Sequence, residues 1–123
     1  MNKRFILFGA IFAALGVALG AFGAHGLEEF LTKTQRADVF ETAVRYQLYH
    51  AFALLFVGIL ADRIKSNLLK YAGYLFTAGI LLFSGSLYLL VGTQITRFGM
   101  ITPLGGLAFI VGWGLLAAGA LRD

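Results

Sequence analysis

Four apolar stretches, each about as long as a bilayer core is thick, restrict what this chain can fold into. Three of them, residues 5–24, 68–91 and 104–121, are almost free of charge, whereas residues 42–61 carry Arg45 and His50 in their first half. A helix of about 20 apolar residues crosses the hydrocarbon core of a membrane. With 59% hydrophobic residues and a mean hydropathy of +0.83, too little polar sequence remains for a water-soluble surface. We therefore predict an all-α membrane protein.

The four predicted spans take up most of the 123 residues. Residues 1–123 are therefore expected to form a single membrane domain, and the short connections favour an up-down bundle of four transmembrane helices. The chain has no cysteine, which excludes disulfides, thiol catalysis and cysteine-ligated metals. Its net charge of +4 comes mostly from the span ends and connections, and we do not take it as a sign of nucleic-acid binding.

The distribution of basic residues predicts the orientation of the bundle. One side would hold six of them, namely Lys3, Arg4, Arg63, Lys65, Lys70 and Arg122. The other side would hold four, namely Lys33, Arg36, Arg45 and Arg97. Because lysine and arginine favour the cytoplasmic side, we expect both termini to be cytoplasmic in a multi-pass protein of the cell (inner or plasma) membrane.

Small residues recur at intervals of seven in three of the spans. They are Gly9, Gly16 and Gly23; Ala72, Gly79 and Ser86; and Gly105, Gly112 and Gly119. Sevenfold spacing keeps one seam facing a neighbouring helix, and small residues let helix backbones approach closely in lipid. Glycine is common in membrane helices in any case, but the shared interval favours tight packing. We also expect self-association into a homo-oligomer.

The second span carries an unusual group of polar side chains. Thr42, Arg45, Tyr46, Tyr49 and His50 share one helix face. Ionisable groups within a span are costly and usually face the bundle interior or a water-filled cavity.

Polar residues of the other spans are expected in the same half of the membrane. Glu41 lies four residues before Arg45, in the order that favours an ion pair, and His25 ends the first span. We predict that these three form one connected cluster with Tyr46 and His50 at its inner edge. The full candidate polar cluster comprises His25, Glu41, Thr42, Arg45, Tyr46, Tyr49, His50, Ser84, Ser86, Tyr88 and Thr102. It is either a polar pocket or relay, or a hydrogen-bonded clasp that fixes helix register.

No arrangement of a nucleophile, a base and an orienting group can be found in the sequence. Ser84 and Ser86 lack the flanking glycines of a nucleophile elbow, and the two histidines have no evident third partner for a metal. We therefore expect no catalytic residue, no metal, no cofactor and no enzymatic activity.

Four local sequences together carry a resemblance to a known family. They are GAFGAHGL at 20–27, ETAVRYQLYH at 41–50, LFSGSLY at 82–88 and ITPLGG at 101–106. The chain resembles the small bacterial inner-membrane proteins of the domain-of-unknown-function 423 family, which is similar to eukaryotic transmembrane protein 256. The resemblance implies a four-span membrane protein and no particular biochemical activity. The chain departs from the family pattern at Phe98, where a bulkier aromatic residue often follows the arginine.

Two classes of function remain open from the sequence. The first is a tightly packed, self-associating protein that is structural or binds membrane lipids or another small partner. The alternative is a small oligomeric transporter or channel with a polar path lined by the second span. A transporter predicts a solvated cavity that reaches both sides, whereas a clasp predicts a dry cluster in which every polar group is paired.

Overall fold

The computed structural model describes residues 1–122, almost all of them in helices. Four helices are long and apolar enough to cross a membrane. They are span 1 (Lys3–Gly26), span 2 (Ala37–Leu60), span 3 (Asn67–Thr93) and span 4 (Thr102–Arg122). A connecting helix, Glu28–Thr34, joins spans 1 and 2, and a 3-10 turn, Thr96–Met100, leads into span 4. No strand is present within the described residues, so the predicted all-α, four-span fold is confirmed.

Local sequence explains where the helices begin and end. The Asn2 side chain accepts hydrogen bonds from two backbone N–H groups in the first turn of span 1, and Ser66 caps span 3 in the same way. The connecting helix ends at Gln35, whose φ of 59° is left-handed. Pro103 lies in the first turn of span 4, where its missing N–H costs nothing. Span 2 begins at Ala37, before the apolar stretch predicted from residue 42.

The glycine seams join the spans into two helical hairpins. A β-carbon on Gly9 would lie 2.8 Å from the backbone oxygen of Ala51, so span 1 packs against span 2 through this seam. A β-carbon on Gly112 would lie 2.8 Å from the Phe76 ring, which places span 4 equally close to span 3. These distances confirm that the sevenfold stripes face neighbouring helices.

Spans 2 and 3 form the centre of the bundle, where the two hairpins meet. The most deeply buried large side chains of the main core include Phe5, Leu54, Phe76 and Phe109, one from each span. Half of the most apolar window of span 2 is buried, against 17% for span 1. Spans 1 and 4 are therefore peripheral helices with wide surfaces left to face lipid.

The start of span 1 and the end of span 4 lie on the same side of the bundle, here called the termini side. The backbone N–H of Asn2 donates to the carbonyl of Gly58, at 2.9 Å, and the amino group of Met1 pairs with Asp62. Gly119, near the end of span 4, packs against Leu69 at the start of span 3. The opposite end, with the connecting helix and the 3-10 turn, is the far side. The cytoplasmic location of the termini side stays a prediction.

Candidate functional site

A buried amide in span 2 links three spans through hydrogen bonds. Gln47 is 3% exposed. Its Nε2 donates to the backbone oxygen of Phe12 in span 1 at 2.8 Å, and its Oε1 accepts from the hydroxyl of Tyr88 in span 3 at 2.7 Å. Close to this amide, glycine at position 16 of span 1 leaves room for the neighbouring Leu48, since a β-carbon there would lie 2.7 Å from the Leu48 side chain. The amide thus fixes the register between the two hairpins.

Two serines of span 3 complete the polar contacts in the far-side half. Ser84 is fully buried, and its hydroxyl donates to the backbone oxygen of Ala43 in span 2 at 2.7 Å. Ser86 lies 2.6 Å from the Thr102 hydroxyl of span 4 and also donates to the backbone oxygen of Phe83. Thr102 is therefore the donor of the Ser86–Thr102 pair.

His50 lies within an aromatic cluster between spans 2, 3 and 4. Its ring stacks on Phe109 with centroids 3.5 Å apart and planes at 7°. The indole N–H of Trp113 donates to Nε2 at 3.0 Å, and Nδ1 lies 2.8 Å from the backbone oxygen of Tyr46. Since Nε2 must accept from Trp113, the hydrogen-bond network assigns the neutral ring with its proton on Nδ1. Both ring nitrogens are thereby satisfied.

The side chains of the polar core are paired by hydrogen bonds. Within residues 1–122, no buried side-chain nitrogen or oxygen lacks a hydrogen-bond partner. No group of three metal-binding side chains lies together in that same part of the chain. The chemistry of this core is hydrogen bonding between helices, which is the arrangement expected of a clasp.

The predicted cluster of His25, Glu41 and Arg45 does not form, so this prediction needs correction. Glu41 and Arg45 pair with each other, as predicted, but their side chains are 65% and 52% exposed. His25 is exposed at the far end of span 1 and, within the described residues, has no hydrogen bond to either. The reason is exposure: these side chains lie on the outer surface of the bundle, where water or head groups can solvate charges and no internal partner is needed.

The remaining predicted residues lie on two different surfaces of span 2. Tyr49 is 52% exposed and faces outward beside Arg45. Tyr46 is 38% exposed and stacks on Phe83 with centroids 4.6 Å apart, while Thr42 is half-buried. The face of span 2 predicted from helical spacing therefore lies along the edge of the buried surface. Of the five residues predicted on it, only His50 points fully inward.

We expect Arg45→Ala to change the free energy of unfolding by less than about 1 kcal/mol, because exposed ion pairs contribute little. Thermal unfolding in detergent measures this. His50→Ala is the contrasting variant, since it removes two hydrogen bonds and a buried ring and should destabilise clearly more. A large loss of stability with Arg45→Ala would contradict the position given to this pair.

A groove opens sideways between spans 1 and 3 on the far-side half of the bundle. We call it the lateral groove. Its deeper part, about 320 Å³, is lined by Phe12, Leu15, Ala18, Leu19, Gln47, Ile80, Leu81, Ser84, Gly85 and Tyr88. An adjoining part of about 520 Å³ shares Leu19 and Tyr88 and continues along Leu27, Phe30, Phe40, Val91 and Gly92. Its walls are apolar, and the hydrogen-bonded side chains of Gln47, Ser84 and Tyr88 lie beneath its floor.

Both helices that flank the lateral groove contain a π-helical turn in its wall. The turns are Ala18–Gly23 in span 1 and Ile80–Ser84 in span 3. π turns are rare within α-helices and often occur at functional sites. Here the turn of span 3 ends at Ser84, whose hydroxyl reaches span 2. The irregular backbone therefore coincides with both the groove and the polar core.

Two residues of the site were not among the sequence-based candidates. Gln47 could have been found, because an amide inside a span must obtain hydrogen-bond partners. Trp113 had a weaker signal: tryptophan is enriched at membrane interfaces, so one in mid-span suggests a buried acceptor for its N–H. The choice of candidates started from the face of span 2 that carries Arg45 and Tyr49. Gln47 lies off that face, and Trp113 belongs to span 4.

The family described as "Protein of unknown function (DUF423)" matches residues 19–106. The chain belongs to this DUF423 family. The matched range includes Gln47, His50 and most of the lateral groove. The similarity to a eukaryotic protein stays a prediction.

Close relatives of this DUF423 chain carry membrane-protein names. UPF0382 membrane protein YwdK of Bacillus subtilis (strain 168) is 50% identical over 121 residues, which is 98% of each chain. UPF0382 membrane protein SAB0533 of Staphylococcus aureus (strain bovine RF122 / ET3-1) is 48% identical, covering 93% of this chain and 92% of the relative. UPF0382 membrane protein SSP2132 of Staphylococcus saprophyticus is 47% identical, with 98% coverage of both chains. No solved structure gives a significant match.

Proposed function

We propose that this multi-pass protein acts without enzymatic chemistry in the cell membrane, binding one lipid chain in the lateral groove. The observation that carries the proposal is the groove itself, which is apolar, open to the bilayer and bounded by two π turns. Leu15 and Leu81 on its rim are 51% and 60% exposed, so a lipid chain can enter from the side.

The length of the lateral groove suits a single chain of one leaflet. From Ile80 to Gly92 it follows span 3 for about 18 Å, at about 1.5 Å per residue, whereas one leaflet of the hydrocarbon core is about 15 Å thick. On the termini side the gap is filled by Phe5, which packs against Tyr74 with ring centroids 5.2 Å apart. A transmembrane helix would need a continuous surface across the whole bilayer, so a lipid chain fits this shape better.

The polar core supports a structural clasp beneath the groove and not a transport path. A channel or transporter needs solvated polar groups on both sides of the membrane, but the buried polar atoms among residues 1–122 are all paired. The proposal therefore gives the hydrogen bonds of Gln47 and Ser84 the role of holding the groove walls in place.

Filling the groove tests the proposal. A β-carbon on Gly85 would have no neighbour within 4 Å, so Gly85→Phe should place a ring in the groove without disturbing the seams. We expect it to reduce cross-linking of the groove by a diacylglycerol carrying a photoactivatable chain in phosphatidylcholine vesicles. Peptide mapping by mass spectrometry measures the cross-linked positions.

Gly114→Phe is the matched control, because Gly114 also has no neighbour within 4 Å but lies on span 4, away from the groove. It should leave cross-linking at Leu81 and Gly85 unchanged. Equal cross-linking in wild type and Gly85→Phe, or groove labelling no stronger than labelling of Leu7, which is 56% exposed on span 1, would overturn the proposal.

Self-association is a second part of the proposal, and span 4 is its most suitable surface. Gly9, Gly16, Gly20 and Gly23 of span 1 all face span 2, so this stripe is not available to a second copy. Span 4 retains Gly114 on an exposed face next to Ile110, which is 70% exposed. Because the chain has no native cysteine, Ile110→Cys should give an oxidised dimer in membranes, whereas Leu7→Cys on span 1 should not. The reverse pattern, or no dimer at all, would refute this surface.

A further inference from the structure

A positively charged side chain lies at the far-side mouth of the lateral groove. Arg36 immediately precedes span 2, and its Nε donates to Oε1 of Gln94 at 3.2 Å. The Gln94 amide nitrogen in turn donates to the backbone oxygen of Val91 at 2.6 Å. Val91 and Phe40, one turn after Arg36, both line the groove. Gln94 therefore fixes the guanidinium above the groove opening.

The terminal nitrogens of this guanidinium are available to a ligand. Within the described residues, the only hydrogen bond of the Arg36 side chain is the one from Nε to Gln94. An arginine held at Nε presents its remaining N–H groups as a fork, which matches the spacing of phosphate oxygens. The half-buried position of Arg36 at the start of a span also corresponds to the depth at which lipid phosphates lie.

We propose that Arg36 binds the phosphate of an anionic phospholipid whose chain occupies the lateral groove. This inference rests on the proposed function and adds the lipid class. Among residues 1–122, no carboxylate lines the groove. Glu28 and Glu41 line a different groove, of about 350 Å³, beside the connecting helix. The groove mouth therefore combines an apolar slot with one oriented cation, and it has no acidic side chain that would repel a phosphate.

The experiment compares three lipids with the same photoactivatable chain: phosphatidylglycerol, phosphatidylcholine and diacylglycerol. The wild-type protein is reconstituted in phosphatidylcholine vesicles, and cross-links within the groove are quantified. We expect phosphatidylglycerol to label the groove about fivefold more than phosphatidylcholine, as expected for one basic residue near an anionic lipid. Arg36→Gln should remove this preference while leaving labelling by diacylglycerol unchanged.

Two further variants separate positioning from charge. Gln94→Asn retains a residue that tolerates the left-handed backbone at this position (φ 59°) but shortens the side chain that holds Arg36, so the preference should fall with no change of net charge. Arg97→Gln removes an exposed arginine from the same membrane side and should leave the preference intact.

The outcomes distinguish the two proposals. If wild type shows no preference for phosphatidylglycerol, or if Arg36→Gln and Arg97→Gln reduce it equally, the head-group inference is wrong while chain binding stands. If no lipid labels the groove above the level of Leu7 on the exposed face of span 1, the proposed function itself is wrong. Competition by inorganic phosphate that abolishes the preference without displacing the chain would show a free-anion site and would also overturn the lipid assignment.

Discussion

Replacing Gly105 by alanine will destabilise the bundle by about 1–3 kcal/mol, although the change adds a single methyl group. A β-carbon on Gly105 would lie 2.7 Å from the backbone α-carbon of Phe83. Backbone atoms in a packed helix cannot rotate away as a side chain can, so spans 3 and 4 must separate locally. Separation would also strain the Ser86–Thr102 hydrogen bond and the contact of Phe109 with His50. The loss should appear as a lower unfolding temperature in detergent.

Gly106→Ala is the control for this experiment. It makes the same chemical change one residue later, where the nearest atom to the new β-carbon would be a Phe83 ring carbon at 3.9 Å, an ordinary contact distance. Alanine is also a better helix former than glycine by about 1 kcal/mol. Gly106→Ala should therefore be neutral or mildly stabilising. Similar losses in both variants would mean that the close packing of spans 3 and 4 is not localised at Gly105.

Replacing Gln47 by leucine will destabilise the bundle by about 1–3 kcal/mol, because it removes two hydrogen bonds and leaves the Tyr88 hydroxyl without its acceptor. The amide joins span 1 to span 3 through Phe12 and Tyr88. Its loss should therefore weaken the junction between the two hairpins. Chemical unfolding in detergent, followed by circular dichroism, measures the change.

A double-mutant cycle with Tyr88→Phe isolates the Gln47–Tyr88 hydrogen bond. The coupling should be about 0.6 kcal/mol, the average for such bonds in membrane proteins, and the double variant should lose less stability than the sum of the two single variants. Tyr49→Phe serves as the control, since Tyr49 is 52% exposed and its hydroxyl should contribute little. Strictly additive effects for Gln47 and Tyr88 would contradict the direct hydrogen bond.

The sequence was sufficient to predict the spans and their seams. Apolar stretches of bilayer length allow one backbone solution, the helix, because lipid offers no partners to N–H and C=O groups. The sevenfold glycines then indicate which face of a helix meets a neighbour, and Gly9, Gly16 and Gly112 are all buried in such contacts.

The polar site was predicted only in part, and the misplaced residues share one cause. Helical spacing puts Arg45, Tyr49 and His50 near one face, but it does not say where the boundary of that face lies. Successive residues of a helix point about 100° apart, so the buried Gln47 directly follows the exposed Tyr46. An error of one residue in placing the boundary therefore exchanges buried and exposed positions. Ser84, Ser86, Tyr88 and Thr102 were predicted in the correct half of the bundle, but their partners depend on how the two hairpins dock.

Local sequence by itself determined the fold class, the number of spans and the close seams, since each follows from the burial of apolar or small residues along one helix. The tertiary structure alone decided the lateral groove, the paired core around Gln47 and His50, and the position of Arg36 at the groove mouth. The groove lies between spans 1 and 3, Arg36 is held by Gln94 just after span 3, and the paired core joins span 2 to the other three spans. They depend on distances between helices, which no spacing within a single helix encodes.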